Sequence, residues 1–118
     1  MREFAVVLAI AGAIGVASAA QAQMPQKPFS QWTQAEQQQY AVHLKQICTP
    51  QCARYMPQGS GAPQQRTMYE AAACQEACFA GHLPADYPGL AEMKKAAWDN
   101  YNQAKALGSP MPVPTIGR

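Results

Sequence analysis

Two cysteine pairs of identical spacing, Cys48-Thr49-Pro50-Gln51-Cys52 and Cys74-Gln75-Glu76-Ala77-Cys78, constrain this chain more than any other feature. On an α-helix, residues four apart share a face and lie about 6 Å apart along the axis. Two helices that each carry such a pair can be bridged twice when laid antiparallel. Four cysteines permit three connectivities. Bonds within each pair would join side chains that point the same way, and the parallel order would require crossed bridges. Antiparallel order joins Cys52 to Cys74 beside the intervening loop and Cys48 to Cys78 farther from it. Closing the Cys52–Cys74 loop stabilises by about 3 kcal/mol in the chain-entropy model, and the second bridge adds less because the first already restrains the chain.

The residues around the cysteines predict three helices and no strand, an all-α fold. Thr33-Gln34-Ala35-Glu36 has the form of a capping box and opens a helix to about Thr49, with Tyr40, Leu44, Ile47 and Cys48 on one face. Pro50 predicts a kink or a restart, with Thr49 capping a fresh turn that carries Cys52 and Tyr55. Met56 to Arg66 reads as a loop, since it holds Pro57, Gly59, Gly61 and Pro63. Thr67-Met68-Tyr69-Glu70 repeats the capping pattern and opens a second helix, which Gly81 is expected to close. Pro88 suits the first turn of a third, amphipathic helix that stops at Gly108. Its stripe is Leu90, Met93, Ala97, Tyr101 and Ala104, flanked by Trp98, with Glu92, Lys95, Asp99 and Gln103 opposite.

The ends are of another character. Met1-Arg2-Glu3 precedes an apolar run from Phe4 to Val16 and small residues ending in Ala20-Gln21-Ala22, the form of a signal peptide cleaved before Gln23. The apolar run falls short of the ~20 residues of a spanning helix, so no stable membrane insertion is expected after cleavage. Removing 22 of the 118 residues leaves 96, with all four cysteines among them. Export brings those cysteines to an oxidising compartment, periplasmic or extracellular, where they pair. A core this small needs such reinforcement. The organisation is thus residues 1–22 as signal peptide, 23–32 as a flexible lead-in, 33–107 as the helical domain and 108–118 as a Pro-rich tail, extended or disordered.

In the spacing of its cysteines, over about residues 34 to 80, the chain resembles the twin CX3C helical hairpins. That class includes the plant alpha-hairpinins and the small mitochondrial Tim chaperones. The resemblance implies a hairpin that presents helical faces to other proteins, as inhibitor, binder or chaperone, without catalytic residues.

The other chemistries find little support in the residues. The net charge is +2 and the basic residues are scattered, so nucleic acid has no electrostatic footprint. Glu36 and Glu70 have capping roles, no nucleophile stands beside a histidine, and no enzyme is expected. A thioredoxin-like site needs a two-residue gap between its cysteines, where this chain has three. His82, four residues past Cys78, suits a helix C-terminus better than a metal, and His43 lies off the cysteine face. The alternative is a copper(I) or other metal carrier, using Cys, Met and His side chains when the thiols are reduced, with Met56, Met68 and Met93 as the methionines. The favoured reading has no cofactor and no metal. It is an exported accessory protein that binds another extracytoplasmic protein, with Cys48, Cys52, Cys74 and Cys78 in structural disulfides and Leu90, Met93, Ala97, Trp98 and Tyr101 as candidate interface.

Overall fold

The computed structural model describes residues 24–57, 61 and 64–117. The signal segment, residues 1–22, lies outside them. The chain divides into two compact units, one ending at His43 and the other beginning at Leu44. Helix α1 (Gln34–Gln51) contributes to both.

In the first unit the capping box closes. The Thr33 amide donates to Glu36 Oε1 at 2.8 Å, and the Glu36 amide donates to Thr33 Oγ1 at 3.1 Å. Lys27 Nζ reaches the same carboxylate at 2.9 Å. The Thr33 amide and then Lys27 hold the Glu36 carboxyl below its ordinary 4.5. Upstream of the cap, where the residues show no period, the chain makes a 3-10 turn over Phe29–Gln31. Trp32 is buried, and its indole N–H donates to the Lys27 carbonyl at 3.0 Å. Its ring lies 4.9 Å from Phe29 and meets Tyr40 edge-on at 5.4 Å. Burial raises the Tyr40 phenol above its ordinary 10.0.

In the second unit α1 runs through Pro50 to Gln51, past the expected restart at Thr49. Proline near a helix end removes only one hydrogen bond. The Cys52 amide still reaches the Cys48 carbonyl at 3.0 Å, which holds the last turn across the proline. The restart comes after the helix has ended at Gln51, as a 3-10 turn over Ala53–Tyr55 capped by Cys52 in place of Thr49.

Helix α2 (Gln65–His82) starts ahead of Thr67, capped by Gln64 without a side-chain bond. Gln65 and Arg66 are good helix formers with no breaker between them and Thr67, so the expected second capping box does not form. Glu70 is buried instead. Its Oε2 accepts from the Ser109 hydroxyl and lies 3.9 Å from Arg66 Nε. At the other end the helix passes Gly81, which lacks the positive φ that a glycine stop requires. Pro84 ends it by forcing Leu83 into extended backbone, φ −90° and ψ 152°.

Helix α3 (Leu90–Ala106) begins after Pro88 rather than on it. Tyr87-Pro88-Gly89-Leu90 is a type II turn, with Gly89 at φ 84°, ψ 6° and the Leu90 amide on the Tyr87 carbonyl at 3.1 Å. At its C-terminus Gly108 takes φ 89°. The Ser109 and Gly108 amides bond the Ala104 and Lys105 carbonyls at 3.0 Å each, a Schellman stop.

The two later helices pack along each other. Ala73 and Ala80 of α2 and Ala97 and Ala104 of α3 are buried, small side chains that let helix backbones approach closely. Asn100 Nδ2 donates to Glu76 Oε1 at 2.6 Å between them. The tail beyond Gly108 docks on α2. Its Ser109 holds Glu70 in the first turns, and a Cβ at Gly81 would meet Ile116 at 3.6 Å near the last. Met111, Pro114 and Ile116 are half-buried, whereas Pro112, Val113 and Thr115 are exposed. One side of the tail therefore faces protein.

Candidate functional site

Both disulfides take the antiparallel connectivity. Cys48 joins Cys78 and Cys52 joins Cys74, each with Cα atoms 5.8 Å apart. They tie the end of α1 to the middle of α2. Cys48 and Cys52 are fully buried, and they are the largest side chains in the described residues to be so. The centre of this small core is thus sulfur, in place of the Leu or Phe that a larger domain would use. Cys74 and Cys78 are half-exposed on α2. Cys78 Sγ lies 3.1 Å from Gln51 Oε1. A disulfide sulfur carries no proton, so this is a packing contact rather than a donated hydrogen bond.

With every cysteine bonded, no thiolate is present for copper. Among the described residues no three His, Cys, Asp or Glu side chains are grouped to hold an ion. The methionines named for that role differ in their surroundings. Met56 Sδ accepts from Gln75 Nε2 at 3.8 Å, Met68 is exposed, and Met93 is half-buried. His82 occupies the last turn of α2, and His43 lies in the first unit with its ring 5.6 Å from Tyr40.

The α3 stripe divides into two parts. Ala97 is wholly buried and Tyr101 is 5 % exposed, so both belong to the protein's own interior and neither can meet a partner in the folded chain. Leu90, Met93 and Trp98 are half-buried and keep surface. Trp98 meets Tyr101 edge-on at 5.9 Å, which anchors the accessible ring on the buried one. A period of three and four places all five on one side of the helix but cannot say how much of that side the chain covers for itself.

Sequence reasoning missed the pairing of Ser109 with Glu70. Its only signal was a carboxylate on the helix side that also carries Ala73 and Cys74, a placement that asks for a polar partner. Comparison with protein-family models, curated proteins and solved structures finds no match. The paired cysteines fit an oxidising compartment. No helix among the described residues is long and apolar enough to cross a membrane.

Proposed function

We propose that the protein is exported, loses residues 1–22, and serves as a small protein-binding subunit of a larger extracytoplasmic complex. The observation that carries this reading is the pair of interhelical disulfides, which makes a rigid helical platform suited to an oxidising compartment. A rigid platform binds with little ordering cost. The half-exposed Leu90, Met93 and Trp98 on α3 give it an apolar contact surface, with a tryptophan of the kind enriched among binding hot spots.

Purification of a C-terminally tagged form from its own cell envelope tests the proposal. A protein that co-purifies stoichiometrically, and is lost when Trp98 and Met93 are changed to Glu, is the expected result. An intact mass starting at Gln23 is expected in the same preparation. A chain that purifies alone, or retains residues 1–22, would overturn the corresponding half of the reading.

A further inference from the structure

The second unit contains a trough that the helical platform alone does not explain. Its floor is α2 at Ala77 and Gly81, where the side chains end at Cβ or before it, flanked by the disulfide sulfurs of Cys74 and Cys78, while Ala73 beneath them is buried. One wall is the end of the hairpin, with Gln51, Arg54 and Tyr55, and the other is the docked tail from Met111 to Ile116. The trough encloses about 480 Å³, within the ordinary range of ligand pockets. From Ala77 to Gly81 the accessible floor runs about 6 Å, the length of about two residues of extended, polyproline-type chain.

The chemistry of the walls is asymmetric. Arg54 stands on the hairpin wall with its guanidinium 5.2 Å from the Tyr55 ring centre, and His82 stands at the far end of the floor. Among the described residues no Asp or Glu lines the trough. The tail wall is apolar, built of Pro112, Val113 and Pro114. An aromatic ring with a guanidinium over it, in a trough that Pro112 and Pro114 also line, suits a proline-bearing chain that also carries carboxylate.

We infer that this trough is a peptide-binding groove whose occupant is an extended, acidic, proline-containing segment of a partner protein. The inference deepens the protein-binding reading above and rests on it. The small floor residues admit the peptide backbone, Tyr55 and the tail prolines pack its proline rings, and Arg54 receives its carboxylate. Proline in the ligand lowers the ordering cost of an extended segment.

The test uses the oxidised full-length mature protein on an immobilised array of hexapeptides with two proline and two Asp or Glu positions, beside the same array with Lys for the acids. Retention at least tenfold stronger on the acidic peptides is expected. It should be lost in Arg54→Glu, kept in Arg54→Lys, and lost in Ala77→Leu, which fills the floor. Intact mass and circular dichroism confirm that each variant keeps both disulfides and its helices. Equal retention on the two arrays, or acidic preference that survives Arg54→Glu, would overturn the inference. The envelope purification separates it from its parent: a partner held equally by wild type and Arg54→Glu leaves the accessory reading standing and removes the groove. Acidic preference on the array with no partner in the envelope supports the groove and removes the accessory reading.

Discussion

Glu36 and Glu70 stand in the same sequence frame, three residues after a threonine, and do opposite things. Glu36 is on the surface, where its carboxylate takes the Thr33 amide and Lys27. Because these partners favour the ionised form and hold the carboxyl below its ordinary 4.5, the contribution of the cap is complete above that pH and is lost as pH falls through the lowered value. An NMR titration of the Thr33 amide should show a midpoint below 4.5, and Glu36→Gln should abolish it. A midpoint at or above the ordinary value would contradict the cap. Glu70 is buried and fastens the tail through Ser109, whose Oγ also accepts from the Met111 amide at 3.2 Å. Ser109→Ala leaves a buried carboxylate short of a partner, which costs about 1–3 kcal/mol. It should also speed hydrogen exchange at the Met111 amide. Unchanged exchange there would show that the tail does not depend on this bond.

Elements in this chain end where backbone geometry forces them to, and the glycines show it. Gly81 sits in right-handed helix and terminates nothing, whereas Gly108 at φ 89° terminates α3 and launches the tail. A side chain at that left-handed position is strained. Gly108→Ala should therefore destabilise the second unit by about 1 kcal/mol, read by thermal unfolding. Gly81→Ala should be neutral or stabilising, since its Cβ would meet Ile116 at an ordinary 3.6 Å and alanine is the better helix former. Reversal of these two effects would mean that α3 does not end in the Schellman geometry.

At the scale of the whole molecule, stability hangs on the bridges, because the two largest fully buried side chains among the described residues are themselves halves of disulfides. Replacing Cys52 and Cys74 together by Ala removes a cross-link and leaves voids in the core, and should cost about 2–5 kcal/mol or abolish folding. Thermal unfolding of the variant measures it. No thiol should titrate in the native protein under denaturing, non-reducing conditions. Proteolysis between the cysteines, at Arg54 and Arg66, should leave the Cys48–Cys52 fragment joined to the Cys74–Cys78 fragment. A Cys48–Cys52 bond would dismantle the hairpin.

The cysteine spacing, the Thr33 box and the amphipathic period of α3 by themselves determined three helices, their antiparallel stapling and the pairing of the sulfurs. Each of these is local or nearly so: a helix face, a cap, a bridge that geometry allows in one order. The Pro88-Gly89 pair was equally local, and it set the start of α3 through a type II turn. Only the tertiary structure decided that Glu70 faces inward, that Ala97 and Tyr101 are spent on the protein's own core, and that the tail lies along α2 to wall a trough. Those outcomes depend on which distant surfaces meet. A period of three or four residues marks a face for burial, but what buries it is settled by packing between segments that share no local signal.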